Sequence, residues 1–149
     1  MIDKEELLTL VPHKGKMFLL SRVISWDMEK HFLAAEYDIT SNCLFYNEEL
    51  KGLPAWAGFE LMAQSISALS GLGARAKGKS PLYGFILSVS DLVHHLPVLK
   101  GTVRIEVTED TIVNNVYSFQ CVVFTGQEAA VSAKLTVMET EDISAVTNR

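Results

Sequence analysis

Residues 54–76 read PAWAGFELMAQSISALSGLGARA, and the architecture of the chain follows from this segment. It is rich in Ala, Leu, Met and Gln, and the proline at its start suits a first helical turn. Apolar side chains recur at spacings of three and four, with further apolar positions that widen the stripe. These positions are Phe59, Met62, Ala63, Ile66 and Leu69, flanked by Trp56, Ala57, Ala68 and Leu72. The segment predicts one long helix that is covered on most of its sides.

The segments on either side of this helix read as strands. Residues 17–26 and 31–39 predict a hairpin, because a polar turn at residues 27–30 joins two apolar runs. Four further strands are predicted after the helix at residues 82–89, 102–109, 116–124 and 129–139, with a link at residues 93–98. The pattern favours an α+β domain in which an antiparallel sheet of five to six strands wraps a long central helix.

Composition is consistent with one globular domain. The chain has 149 residues, of which 48% are hydrophobic and 21% are charged, and this is too apolar for a disordered chain. We detect no internal repeat or linker, so residues 1–149 are interpreted as a single domain. A short helix capped by Asp3 is predicted over residues 3–10, and residues 140–149 read as a polar tail.

Charge and hydropathy exclude several classes of function. The net charge of -5 is spread along the chain without a basic stripe, which argues against nucleic-acid binding. The N-terminus does not resemble a signal peptide, and no uninterrupted apolar run is long enough for membrane insertion. We therefore expect a cytoplasmic protein. Cys43 and Cys121 are too far apart for a metal or redox motif and are interpreted as buried, reduced thiols.

One charged residue interrupts the apolar opening of the helix. Glu60 precedes Gln64 by four residues and Ser67 by seven, so the three share one polar stripe on an otherwise apolar helix. A carboxylate held there loses water, which favours its neutral form and suits it to exchange a proton near neutral pH. The alternative is a carboxylate that is stabilised by the helix dipole and the free amides of the first turn.

The residues around Glu60 resemble a known family. Residues 53–64 read LPAWAGFELMAQ, which is similar to the helix opening of the 3-hydroxyacyl-ACP dehydratases. Upstream, residues 11–23 (VPHKGKMFLLSRV) resemble the N-terminal segment of that family, and His13 within them is interpreted as a structural histidine. Downstream, residues 96–101 (LPVLKG) and the following Arg-Ile-Glu-Val strand resemble its later turn. Three motifs in this order imply the hotdog fold of these enzymes.

The resemblance implies roles for several residues. Glu60 corresponds to the catalytic acidic residue of the family. The backbone N–H of Ala55 corresponds to a donor that polarises the thioester carbonyl and stabilises enolate-like charge, although the family has glycine at this position. The implied substrate is a 3-hydroxyacyl thioester on an acyl carrier protein. No metal or organic cofactor is implied.

One departure from the family concerns the catalytic base. The family takes the α-proton with a histidine fourteen residues before the acid, and this chain has Tyr46 there. A phenol is a poor base at pH 7 compared with imidazole. Since the family builds each site from two subunits, a histidine-bearing homologue could complete a heterodimeric site with Glu60. Alternatively, His94 or His95 enters the cavity, because adjacent strand residues point to opposite faces.

Aromatic residues cluster near the helix opening. These aromatic side chains either line an acyl tunnel or pack in the core. The candidate substrate-binding residues are therefore Phe45, Tyr46, Trp56 and Phe59, together with Gln64, His94 and His95. The Pro-Ala-Trp sequence without the family histidine is similar to the dehydratase-like proteins of aryl polyene clusters. That resemblance implies an ACP-bound 3-hydroxy aryl-polyenoyl substrate.

Two other functions stay open. The hotdog fold also hosts thioester hydrolysis in which a helix carboxylate orients water, so an acyl thioesterase is one alternative. A non-catalytic acyl-binding or stabilising subunit is the other, because the family histidine is missing. For all three functions, open sheet edges predict a dimer, either of this chain or with a homologue.

Overall fold

A computed structural model describes residues 1–11 and 17–140, except the side chain of Tyr83. His13 and the tail after residue 140, both interpreted above, lie outside the described residues. In chain order the elements are β1 (Ile2–Asp3), α1 (Lys4–Leu7), β2 (Arg22–Asp27), β3 (Phe32–Asp38), β4 (Leu53–Pro54), α2 (Ala57–Ala76), β5 (Tyr83–His94), β6 (Val98–Leu99), β7 (Thr102–Val113), β8 (Val116–Thr125) and β9 (Glu128–Thr140). The predicted helix and strands are thus present, with shifted boundaries.

The principal sheet is antiparallel and has the strand order β1-β2-β3-β7-β8-β9-β5, while β4 and β6 form a separate pair. The α+β prediction is confirmed, but the expected five to six strands are too few, since this sheet has seven. The additional strand is β1, whose two residues pair with β2. A strand of two residues is too short to produce a recognisable alternation.

The topology agrees with the predicted hairpin and differs from the predicted meander at one strand. β2 pairs with β3, and β7, β8 and β9 follow one another as neighbours. β5 lies beside β9 at the edge of the sheet. It is one strand of twelve residues rather than a shorter strand and a link. Register shifts after Ile86 and Ser90 interrupt its alternation, which explains why the sequence pattern divided it.

Helix α2 packs on β3, β7 and β8 and carries the centre of the core. Leu61, Met62 and Leu72 are buried against a sheet face that includes Ile105 and Leu135. Burial of each such side chain stabilises the fold by about 1.5–3 kcal/mol relative to its exposed state. The prediction of a helix covered on most sides agrees with this packing.

One glycine of α2 allows a close approach of two chain segments. A Cβ atom on Gly71 would lie 1.8 Å from the carbonyl oxygen of Leu10, whereas a Cβ atom on Gly73 would meet only the flexible end of Met28 at 3.4 Å. Leu10 itself is buried. The helix can therefore touch the backbone of the N-terminal segment only because residue 71 has no side chain.

The N-terminal helix is shorter than predicted. Asp3 caps it as expected, since Asp3 Oδ1 accepts a hydrogen bond from the Glu6 amide at 2.9 Å. The helix nevertheless ends at Leu7 rather than near residue 10, and a turn follows in which the Leu10 amide donates to the Leu7 carbonyl. Leu7 and Leu10 are buried, so this segment closes one end of the core.

The two cysteines differ in their surroundings. Cys121 is buried as predicted, and desolvation raises the pKa of its thiol to about 12. Cys43 is only half-buried, so the prediction was wrong for this residue. Desolvation opposes ionisation of Cys43, but hydrogen bonds from Tyr37 and Thr40 outweigh it and lower the thiol pKa.

Candidate active site

Glu60 lies in the first turn of α2 and is half-buried. Its Oε1 atom accepts a hydrogen bond from Gln64 Nε2 at 3.1 Å. The spacing of four residues places both side chains on one helix face, as the sequence predicts. The carboxylate therefore has one fixed protein donor, and the partial exposure of the residue leaves room for another molecule.

Gln64 connects this face of α2 to the chain before β2. Its Oε1 accepts from the Leu19 amide at 2.7 Å, and its Nε2 donates to the Met17 carbonyl at 2.6 Å. Gln64 has no exposed surface. Gln64 therefore holds the Glu60 side chain in one orientation, and its contact with substrate stays a prediction. Met17 and Leu19 are more than 40 residues away in the chain, so no local sequence signal pointed to them.

The Ala55 amide does not face an open space in this structure. It donates to the Pro97 carbonyl at 3.0 Å, and the Ala55 carbonyl accepts from the Gly58 amide. Ala55 is buried directly before α2. A role for this amide at a thioester carbonyl would therefore require the bond to Pro97 to open.

The aromatic residues at the helix opening lie together but differ in exposure. Phe45 and Trp56 form an edge-to-face pair with ring centroids 5.2 Å apart. Trp56 is 55% exposed, which is unusual for so large an apolar side chain. Phe45, Tyr46 and Phe59 are half-buried against the core. Trp56 is thus the member of this group with most surface available to a ligand.

Both candidate histidines lie beside the same segment. His94 ends β5 and His95 follows it, and both are exposed. They line a cleft of about 420 Å³ between residues 94–97 and residues 54–56. His95 Nε2 is 3.3 Å from Ser132 Oγ, a partner that sequence reasoning did not identify. The two histidines, Ala55 and Trp56 are therefore brought together.

Strand β5 leaves an apolar edge beside these histidines. Five of its large apolar residues are exposed by 38% or more: Ile86, Leu87, Val89, Leu92 and Val93. Such a long, apolar edge strand is suited to pairing with another chain.

A second group of titratable residues lies at the other end of α2. Glu139 Oε2 accepts from Ser70 Oγ at 2.9 Å, next to a cavity of about 380 Å³. Desolvation raises the pKa of Glu139, the hydrogen bond from Ser70 opposes this shift, and the charge of Glu109 adds to it. Glu109 itself pairs with His31 Nδ1 at 2.9 Å. This group lies ten residues along the helix from Glu60 and is separate from the cleft.

A long helix packed against a seven-stranded antiparallel sheet places the chain among hotdog-fold proteins. The model of the ApeP-like family, described as ApeP dehydratase, matches residues 5–148. The chain belongs to this family. No helix within the described ranges 1–11 and 17–140 is long and apolar enough to cross a membrane.

The curated relatives that the chain resembles in sequence include dehydratases. The 3-hydroxyacyl-(acyl-carrier-protein) dehydratase FabZ of Xanthomonas euvesicatoria is 26% identical over 122 residues, which cover 79% of this chain and 80% of that protein. FabZ of Protochlamydia amoebophila is 24% identical over 68% of this chain, and the match spans 66% of the relative. These matches confirm the predicted resemblance to the 3-hydroxyacyl-ACP dehydratases.

Solved structures confirm the hotdog fold. A chain of the dehydratase heterocomplex ApeI:P from Xenorhabdus doucetiae superposes with a TM-score of 0.85 at 19% identity, with 95% of each chain covered. Thioesterase HI1161 from Haemophilus influenzae has a TM-score of 0.69 at 15% identity, over 95% of this chain and 92% of that one. At such identities the likeness concerns the fold alone.

Proposed function

We propose that the chain is a subunit of a 3-hydroxyacyl-ACP dehydratase in which Glu60 is the proton-exchanging group. The observation that carries this proposal is the hydrogen bond from Gln64 to Glu60, because Gln64 is itself held by the backbone at Met17 and Leu19. A carboxylate held in one orientation loses less entropy when it meets a substrate hydroxyl. The resemblance to the 3-hydroxyacyl-ACP dehydratases implies a catalytic carboxylate at this position.

The reaction removes water from the acyl chain. A base takes a proton from C2, and the electron pair of that C–H bond becomes the C2–C3 double bond as the C3–O bond breaks. Glu60 in its protonated form gives its proton to the departing hydroxyl, so the products are a 2-enoyl thioester and water. General acid–base catalysis of this kind contributes about 10²- to 10⁴-fold to the rate.

In this proposal, a second subunit completes the active site around Glu60. The apolar edge of β5 provides a surface for one, and pairing there would bury residues such as Leu87 and Leu92. The solved dehydratase heterocomplex ApeI:P supports a heterodimer, and we propose that the partner is a homologue that bears the family histidine. A second copy of this chain is the alternative occupant of the same edge. An acyl carrier protein delivers the thioester, and a cytoplasmic location follows from the same assignment.

For the acyl chain, we propose a 3-hydroxy aryl-polyenoyl group. The exposed ring of Trp56, held edge-to-face by Phe45, offers a surface against which a flat conjugated chain can stack. A saturated acyl chain of equal length would bury apolar surface on binding but could not stack on the Trp56 ring. Comparing the two on the same carrier protein tests the assignment: equal kcat/KM values would remove the aromatic preference.

Product analysis distinguishes the proposal from its alternatives. The protein is incubated with 3-hydroxyacyl-ACP, alone and together with a histidine-bearing homologue from the same genome, and the thioesters are analysed by mass spectrometry. The proposal predicts that the acyl-ACP loses about 18 mass units, the mass of one water, while the acyl chain stays attached to the carrier protein. Release of the free acid would indicate a thioesterase, and binding without conversion under both conditions would indicate a non-catalytic subunit.

A further inference from the structure

We infer that His94, and not His95, supplies an imidazole to the acyl-thioester site and takes the proton-accepting role for which Tyr46 is unsuited. The inference rests on the proposed dehydratase function and names a residue that the family motif does not contain. Four structural observations support it: strand register, the partner of His95, the cleft, and the position of Trp56.

Strand register determines the face on which His94 lies. His94 is opposite Val131 in the β5–β9 ladder, and directly opposed residues project to the same face of a sheet. Val131 is fully buried, and its Cγ2 atom would lie 3.2 Å from a Cβ atom on Gly58. The face shared by Val131 and His94 is therefore the face that receives the first turn of α2.

The His95 side chain points to the opposite face of the sheet from His94 and has its own hydrogen-bond partner. Its Nε2 atom is within 3.3 Å of Ser132 Oγ, and Ser132 lies between the buried residues Val131 and Ala133. Alternation along β9 places Ser132 on the outer face of the sheet. The His95 amide also donates to the Ala130 carbonyl at 2.8 Å. His95 is thus bound to Ser132 on the outer face of the sheet, although it also lines the cleft beside His94.

His94 has the freedom that a catalytic imidazole needs. Across residues 1–11 and 17–140, its ring has no hydrogen-bond or ion-pair partner, so one ring nitrogen is available to accept a proton. The cleft of about 420 Å³ beside it is large enough for the thioester end of a ligand. Trp56 lines that cleft and contacts Phe45, the neighbour of Tyr46. His94 and Trp56 thus line one cleft, and Trp56 in turn contacts the loop that contains Tyr46.

The chemistry is balanced when His94 is the base. The neutral imidazole accepts the C2 proton and becomes imidazolium, while the carboxylic acid of the site becomes carboxylate as it protonates the departing hydroxyl. The hydroxyl leaves as water, and a proton then returns from imidazolium to carboxylate through solvent. No oxidant, reductant or metal is consumed.

Adjacent histidines on opposite faces provide a matched pair for the test. His94→Ala and His95→Ala are compared in dehydration of 3-hydroxyacyl-ACP by the protein alone and by the protein with its homologue. We expect His94→Ala to lower kcat/KM by at least about 100-fold when this chain is assayed without a homologue. His95→Ala removes a side chain that lines the same cleft, so its effect should fall on KM, with kcat within about threefold of wild type. Equal effects of the two substitutions, or none from His94→Ala, would overturn the inference.

A second measurement is independent of turnover. NMR of histidine-labelled protein, with the two alanine variants to assign the signals, follows both imidazoles during titration with a 3-hydroxyacyl-pantetheine analogue. The His94 signal should shift more than the His95 signal, because only His94 lies on the sheet face that receives α2. If the wild type binds the analogue without a shift at His94, the inference is wrong even when the dehydratase assignment holds. If the wild type forms no enoyl product under any condition, the proposed function fails instead.

Discussion

The side-chain amide of Gln64 donates to the carboxylate of Glu60 across 3.1 Å. Because the same amide is bound to the backbone before β2, this contact couples the helix opening to a segment far away in sequence. The orientation of Glu60 therefore depends on how the chain before β2 is held, and not on α2 alone.

Replacing Gln64 tests this coupling. Gln64→Met keeps the side-chain length but leaves the buried Leu19 amide without its acceptor, which should cost about 1–3 kcal/mol in the free energy of unfolding. The kcat of dehydration should fall as well, because Glu60 loses its donor. Ser67→Ala, one turn further along α2, is the control and should change stability by less than about 0.5 kcal/mol. Urea denaturation measures both variants, and equal stability of the two would contradict the coupling.

The close approach of α2 to the N-terminal segment gives a second prediction. Gly71→Ala would place a Cβ atom 1.8 Å from the Leu10 carbonyl oxygen, so the helix must move and the protein should lose more than about 2 kcal/mol of stability. Gly73→Ala meets only Met28 and should be neutral or more stable by up to about 1 kcal/mol. Thermal unfolding compares the two variants. A stable Gly71→Ala protein with wild-type unfolding would show that the two segments do not touch.

Glu139 makes stability depend on pH. Burial raises its pKa in the folded state, so the native protein holds this proton more tightly than the unfolded chain does. The resulting stability is present at low pH and is lost as the pH rises through the folded-state pKa. Glu139→Gln should therefore be more stable than wild type at pH 7, with the difference vanishing below about pH 4.

Glu128→Gln is the control for this measurement, because Glu128 is exposed at the start of the same strand. Unfolding curves between pH 4 and pH 8 should show a pH-dependent difference from wild type only for the Glu139 variant. Parallel stability curves for wild type and Glu139→Gln would mean that the carboxylate is not desolvated.

The edge of β5 predicts how the chain associates. Leu87 is 54% exposed on this strand, and Leu87→Lys places a charge where a paired chain would bury an apolar side chain. We expect the variant to be monomeric in analytical ultracentrifugation and to lose binding to a histidine-bearing homologue. Val113→Lys is the control, since Val113 is 68% exposed at the end of β7 and should leave association unchanged. Unaltered assembly of the Leu87 variant would place the interface elsewhere.

The helix and most strands were predictable because their side-chain periods are regular. The spacing from Phe59 to Leu69 identifies α2, and alternation identifies β7 to β9. β5 was not predictable as one strand, because two register shifts change which residues face the core. For the same reason, the sequence could not show which of His94 and His95 faces α2.

The candidate site was predictable only where its contacts are local. Glu60 and Gln64 lie one helical turn apart, so their contact follows from spacing. The bonds from Gln64 to Met17 and Leu19, and from the Ala55 amide to Pro97, join segments that are distant in the chain. Those contacts depend on tertiary packing, so spacing along the chain could not predict them, and the roles of Gln64 and Ala55 in the reaction stay predictions.

The most direct test of the proposed function is the kcat/KM of dehydration for Glu60→Gln. It is measured under the condition in which the wild type is active, either alone or with its homologue. The substitution keeps the hydrogen-bonding shape and removes the exchangeable carboxyl proton, so kcat/KM should fall by at least about 100-fold with the unfolding temperature unchanged. Glu5→Gln, in the exposed part of α1, should match the wild type. If Glu60→Gln keeps most of the wild-type kcat/KM, Glu60 does not exchange a proton in the reaction.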